Sequence, residues 1–279
     1  MGFIKEYRFG DVQAFETGRA SRGKSPLISS FSYLAGGVMI DTGPRHARKE
    51  MLQAHRLYPV KMICLTHHHE DHSGNAAAMR DLWGLQIHGH PLCVQKMAQS
   101  FPILPYQRFL FGKSEPVAME NLPERIDTRD IRLYPIYTPG HSKDHTCYFE
   151  PNRGWLFSGD AYLGDRAKYF RSDENMGEEI LSLRKIMDLD FESLFCAHNP
   201  QPLNGKACIA TKLAFLEDMY GKVADLRSKG MGPRGIMRKL AIKESYATKI
   251  VCMGNISALN MVRSALEVAD AGGPESLAP

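Results

Sequence analysis

Thr66-His67-His68-His69-Glu70-Asp71-His72-Ser73-Gly74 follows directly on the apolar run Val60 to Thr66 (VKMICLT). A nearly unbroken apolar run of that length suits a buried strand. The motif then sets histidines and an aspartate at positions 1, 3, 5 and 6 of an HxHxDH pattern. In an extended segment side chains alternate, so His67 and His69 point to one side while His68 and Glu70 turn toward the protein body. The turn that follows lets Asp71 and His72 serve a neighbouring position.

The same arrangement recurs at three more strand ends. Apolar stretches lead into Thr138-Pro139-Gly140-His141, Gly159-Asp160 and Ala197-His198. Ligands in α/β folds gather at the carboxyl ends of strands, so the four ends are expected to converge into one cluster. Seven nitrogen and oxygen donors are too many for one tetrahedral ion, and a catalytic zinc site keeps a position open for water. The inventory suits two divalent ions. His67, His69 and His141 would hold one, Asp71, His72 and His198 the other, and Asp160 would bridge them, leaving a shared water or hydroxide as nucleophile. Zinc is the expected metal, with iron or manganese as alternatives, because imidazole and carboxylate suit all three.

Two nearby residues stay open in the sequence. His145 either orients a ligand or a leaving group, or caps a local turn; Tyr162 either donates to a substrate oxygen or packs.

Outward from the motif, Ser30 to Ile40 (SFSYLAGGVMI) reads as two strands joined at Gly36-Gly37. A helix is expected within Arg45 to Tyr58. Ser73 is placed as the cap of a helix from Gly74 to Trp83 that Gly84 stops. Further strands are expected at Ile131 to Thr138, Gly154 to Ser158 and Ser193 to Ala197, with a helix from Glu178 to Leu189. Residues 1–204 form the expected catalytic domain and 205–279 a helical extension of three helices, broken around Gly230 to Pro233 and Gly254. An insertion near 92–129 carries Phe101, Ile103, Leu104, Tyr106, Phe109, Leu110 and Phe111. It is either a lid or a packed excursion; as a cleft wall it would favour a substrate with a hydrophobic group.

Composition excludes several classes. With 279 residues, 43% hydrophobic and 24% charged, the chain is neither disordered, collagen-like nor a disulfide scaffold. The net charge of +4 lies entirely in the segment from Gly205 to the end, where eleven basic residues face seven acidic ones. No dense basic stripe interleaved with aromatics is visible, which disfavours nucleic acid as a partner. The six cysteines form no CxxC pair and read as reduced; no signal-peptide core or membrane-length apolar run is present. A cytoplasmic protein acting on a small molecule is expected, with a second copy of the chain (a homodimer) as a candidate partner.

Ile40-Asp41-Thr42-Gly43, the motif at 66–74, Thr138-Pro139-Gly140-His141-Ser142, Ser158-Gly159-Asp160 and Cys196-Ala197-His198 stand in an order that resembles the metallo-β-lactamase-fold superfamily, across residues 30–200. The resemblance implies an α/β fold: an αβ/βα sandwich of two mixed sheets faced by helices, here with a C-terminal helical extension. The site would lie along one edge of the sandwich, with Asp41 supporting it rather than ligating. The HxHxDH pattern is similar to the hydrolytic branch of glyoxalase II-like thioesterases, lactonases and phosphodiesterases. Length, insertion and tail look most like its lactonase and quinolone-signal thioesterase members. The implied function is a dinuclear metal-dependent hydrolase using a metal-bridging hydroxide on a thioester, ester or lactone carbonyl, with Asp71 and Asp160 as catalytic residues. The alternatives are a phosphodiesterase or nuclease of the same fold, with a helix-turn-helix hidden in Pro233 to Met261, and a metal-retaining effector without enzymatic activity.

Overall fold

Two sheets face one another in the computed structural model, which describes residues 1–20 and 25–277. The first runs in the order β1 (Gly2–Phe9), β2 (Val12–Arg19), β3 (Ser29–Ala35), β4 (Val38–Ile40), β5 (Met62–Cys64), β6 (Gln86–Gly89) and β7 (Glu120–Asn121). Its first four strands are antiparallel, and β4 to β7 are parallel. The second sheet contains β8 (Ile126–Asp127), β9 (Arg132–Tyr137), β10 (Thr146–Glu150), β11 (Trp155–Gly159) and β13 (Ser193–Cys196), in the order β13-β11-β10-β9-β8. A two-stranded ribbon pairs β12 (Phe170–Arg171) with β14 (Ile256–Ser257).

Apolar side chains of both inner faces close the space between the sheets. Tyr33, Val38, Ile40 and Cys64 meet Leu133, Tyr148, Phe157 and Phe195 there. Outside the first sheet lie α1 (Arg48–His55), α2 (Glu70–Ser73), α3 (Ala76–Trp83), α4 (Pro91–Met97) and α5 (Pro105–Leu110). Met51, Met79 and Met97 from these helices pack on Met39, Ile63 and Ile87 of the strands. Outside the second sheet lie α6 (Met176–Met187), α7 (Gly205–Ser228), α8 (Pro233–Lys239) and α10 (Ala258–Asp270), while α9 (Tyr246–Val251) lies against β14 of the ribbon. Ile180, Leu216 and Val262 share one core with Leu156 and Leu194. The layers are therefore helix, sheet, sheet, helix, the αβ/βα sandwich of the sequence reading, with the helices of the tail packed onto the second half.

Several local expectations are corrected. Ser73 does not cap α3: it lies in α2, and its hydroxyl donates to the His68 and His69 carbonyls, while Asn75 precedes α3. Gly84 does end α3, with φ 65°. Among the described residues the tail holds four helices rather than three, because the chain also breaks at 240–245, where Ala241 takes φ 52°. That break is longer than the three- or four-residue turn of a helix-turn-helix, so 233–261 does not form one. The insertion contributes α4, α5, β7 and β8, and Phe101 packs at the edge of the first core. Ala278 and Pro279, the last of the expected extension, lie outside the described residues.

Leu216 is fully buried where α7 meets the second-sheet core. Leu216→Ala should cost about 2–5 kcal/mol, read as a lower urea midpoint. Because tail and sheet share that core, the loss should appear in one transition; an unchanged midpoint would contradict the shared core.

Candidate metal centre

The centre forms where β5 gives way to the ligand motif. Asp41, directly after β4, takes φ 59° and turns its carboxylate back toward that motif. Oδ1 accepts from the Thr66 N–H at 2.8 Å, and Oδ2 accepts from the Thr66 hydroxyl and from His72 Nδ1, each at 2.8 Å. With Nδ1 committed to Asp41, His72 presents Nε2 to Asp71 and Asp160. Such a carboxylate behind an imidazole fixes its tautomer and raises its basicity as a ligand. Gly159, with φ 47°, brings Asp160 in over Thr66; a Cβ there would stand 2.7 Å from His145 Nε2 and 2.9 Å from Thr66 Cβ. No larger residue fits that crossing.

The seven sequence-predicted residues come together in two groups. In the first, His67 Nε2 stands 2.8 Å from His69 Nδ1, which is 3.1 Å from His141 Nε2. In the second, Asp71 Oδ2 stands 3.3 Å from His198 Nε2 and 3.8 Å from His72 Nε2. Asp160 lies between them. Its Oδ2 is 3.2 Å from His141 Nε2, while Oδ1 is 3.4 Å from His72 Nε2 and 3.6 Å from His198 Nε2. The donor atoms of His67, His69 and His141, and those of Asp71, His72 and His198, are each close enough together to hold one ion.

The donors fit divalent metal. Ligands about 2.0–2.1 Å from a tetrahedral ion stand about 3.3 Å from one another, and most of these separations lie near that value. His72 Nε2 and Asp160 Oδ1 are buried and, among the described residues, have no hydrogen-bond partner. A cation between them would satisfy both atoms. Burial holds His67 and His69 well below the usual imidazole range, so both offer a free lone pair. Burial also resists the charge on Asp160, but His72, His198 and His141 outweigh it and keep the carboxyl well below its ordinary range. At His198 burial is likewise outweighed, by Asp160 and Asp71, which raise it to about 9.

Other residues settle into supporting places. His68 turns away, as alternation requires, and its Nδ1 meets Asp144 Oδ1 at 2.9 Å. Glu70 also points inward, toward Gln107 Nε2 at 3.1 Å, and burial raises its carboxyl to about 7. His145 Nε2 accepts from the Asp160 N–H at 3.1 Å, and Nδ1 meets the Thr138 hydroxyl at 2.9 Å, so it holds the backbone of Asp160. Tyr162 is buried in the second-sheet core and donates to Asp165 Oδ1. His198 is aimed by Nδ1, which donates to the Ser29 carbonyl at 2.7 Å. Sequence reasoning missed Glu174, whose Oε1 accepts from His141 Nδ1 at 2.6 Å. It sits in a loop before α6, 33 residues from its partner, and no spacing joins the two.

Above the ligands opens a cleft of about 730 Å³. Tyr106, Leu110 and Phe111 of the insertion form one wall, and Thr248, Cys252 and Ile256 of the tail another. Phe109 is not part of it: the ring is 56% exposed, with the Arg19 guanidinium 4.1 Å from its centroid.

Comparison with known proteins agrees with this geometry. A family model described as metallo-beta-lactamase superfamily matches residues 26–198, well over half of the chain. The chain belongs to that superfamily. A hydroxyacylglutathione hydrolase of Legionella pneumophila is 24% identical over 176 residues, 61% of each chain. An atrochrysone carboxyl ACP thioesterase of Aspergillus fumigatus is 26% identical over 179 residues, 60% of this chain and 50% of that one. The match thus spans about three-fifths or less of these relatives. The solved metallo-beta-lactamase from Pontibacter korlensis superposes with TM-score 0.62 at 17% identity, over 77% of this chain and all of that one, a likeness of fold.

If Glu174 orients His141, Glu174→Gln should weaken metal retention by about 10–100-fold, the range for a partner behind a ligating histidine. Competition with a chromophoric chelator measures it. Retention equal to the unmodified protein would show that His141 does not depend on Glu174.

Proposed function

We propose that this chain is a dinuclear metal-dependent hydrolase acting on a thioester, ester or lactone carbonyl. The observation that carries the reading is Asp160, whose two oxygens each face a different set of imidazoles. His67, His69 and His141 would hold one divalent ion, Asp71, His72 and His198 the other, with Asp160 shared; zinc suits this all-nitrogen-and-oxygen donor set. Two ions bound there would supply a hydroxide nucleophile at neutral pH and Lewis acidity for the carbonyl oxygen.

The chain's own residues do the rest. Asp160 fixes the spacing of the two ligand sets, while Asp41, Glu174 and Ser29 fix the rings of His72, His141 and His198. Asp71 lines the cleft with Oδ2 turned to His198 and His72, and its carboxylate would take the proton given up by the attacking water and pass it to the leaving group. The apolar side chains of the insertion wall favour a small substrate with a hydrophobic group. Relatives named for hydrolysis of hydroxyacylglutathione and for ACP thioesterase activity support the carbonyl reading over phosphodiester cleavage. A cytoplasmic setting suits the cysteines, all six unpaired and five of them buried. Among the described residues no helix is long and apolar enough to cross a membrane.

The test is a panel of thioester, ester, lactone, lactam and phosphodiester substrates, assayed after chelation and after zinc return. Activity should vanish on chelation and return as about two equivalents are restored, with carbonyl substrates preferred; preference for the phosphodiester would overturn the reading. Asp160→Ala should reduce kcat/KM far more than His145→Ala, for which about 10–100-fold is expected. Equal losses at equal folded concentration would show that Asp160 does not join two ions. Within the carbonyl class, kcat/KM should rise as the acyl chain lengthens and should fall in Phe111→Ala; a flat series would remove the hydrophobic substrate.

A further inference from the structure

Arg171 stands in the wall of the same cleft, beside His69, His141 and Tyr106, and neither the ligand set nor the proton path uses it. Its side chain is only 19% exposed. A guanidinium carries five N–H donors. Nε donates to Asp173 Oδ1 at 3.1 Å and Nη2 to Asp173 Oδ2 at 3.4 Å. Three donors, including both on Nη1, have no partner among the described residues. Asp173 itself is half exposed and shares its carboxylate with solvent. Asp173 thus pairs one side of the guanidinium, and Arg171 lines the cleft with three N–H donors still free to bind an anion.

The residue is also held in place. Arg171 pairs with Ile256 in the β12–β14 ribbon, and its N–H donates to Glu174 Oε2 at 2.8 Å. Asn255, next to that ribbon, donates through Nδ2 to the Tyr106 hydroxyl and accepts through Oδ1 from the Ser172 hydroxyl, each at 2.7 Å. Tail, insertion and the Arg171 turn are thus tied at one corner of the cleft. Binding groups on such fixed supports lose little freedom when a ligand arrives.

We propose that Arg171 is a specificity residue that binds an oxyanionic group, carboxylate or phosphate, on the acyl chain of the substrate. This rests on the hydrolase reading for the carbonyl, and narrows its substrate class to acyl groups that are apolar along the Tyr106 and Leu110 wall and acidic at the point facing Arg171. The planar fork of arginine suits either anion and makes charge-assisted hydrogen bonds of about twice the ordinary strength.

Calorimetric binding to the zinc-loaded protein tests it with three acids: butyrate, with one anionic end; glutarate, with a second carboxylate; and 4-phosphonobutyrate, with a phosphonate there. One or both two-headed acids should bind about tenfold or more tighter than butyrate. Which of them does so tells carboxylate from phosphate. In Arg171→Gln, with metal content checked by elemental analysis, the preference should collapse to near unity; Arg171→Lys should keep part of it, since charge survives and the fork does not. No preference in the unmodified protein, or a preference that survives in Arg171→Gln, would overturn the assignment. Should Arg171→Gln not fold, an undiminished preference in Arg171→Lys would overturn the fork, and a reduced one would support it. The same protein is assayed on butyryl and glutaryl thioesters. Turnover without acid preference sinks the Arg171 assignment alone, whereas acid preference without turnover of any ester sinks the hydrolase reading and leaves the anion site standing.

Discussion

The carboxylate of Asp160 is buried between two groups of imidazoles, and keeping it there constrains much of the surrounding chain. An ionised carboxylate taken from water costs several kcal/mol unless opposite charge and hydrogen bonds surround it. His141, His72 and His198 surround this carboxylate, within 3.2–3.6 Å. Position comes from the backbone: Gly159 crosses Thr66 where no side chain fits, and the Asp160 N–H is anchored on His145, which is anchored on Thr138. Asp41 performs the same office on the opposite side, binding Thr66 and His72 with one carboxylate. A centre assembled from four strand ends has to be braced this way, because each end arrives from a different part of the sequence.

Rigidity and variety are divided between parts of the molecule. The ligands stand on strands locked by the inter-sheet core of Tyr33, Tyr148, Phe157 and Phe195. The walls come from the insertion and the tail, which meet each other through Tyr106 and Asn255. Ser264 of α10 extends the tail's influence into the centre: its hydroxyl donates to the Glu174 carbonyl and accepts from the Met176 N–H, steadying the loop that carries the His141 partner. The tail therefore shapes the substrate space and also braces one ligand, which explains why it packs into the second-sheet core instead of standing apart.

The clustering of the seven His and Asp residues was legible in the sequence because each follows an apolar strand, where periodicity and position report together. The layers were legible for the same reason, as was the turn at Gly36-Gly37. What stayed hidden lies in segments without a period. Glu174 holds His141 and Asp144 holds His68 from loops, and Arg171 occupies a two-residue strand whose partner is 85 positions away. Ser73 looked like a helix cap because serine commonly is one, yet the tight turn after His69 draws its hydroxyl back to the His68 and His69 carbonyls. Phe109 and Phe111 are alike in composition, and only the turn at the end of α5 decides that one ring faces Arg19 and the other the cleft.

The most direct measurement is anomalous diffraction at the zinc edge from crystals of the zinc-loaded protein. Two peaks are expected, one among His67, His69 and His141, one among Asp71, His72 and His198, with an oxygen of Asp160 about 2.0–2.2 Å from each. A single peak in fully loaded crystals, or two peaks of which one lies out of reach of Asp160, would contradict the proposed sharing of Asp160.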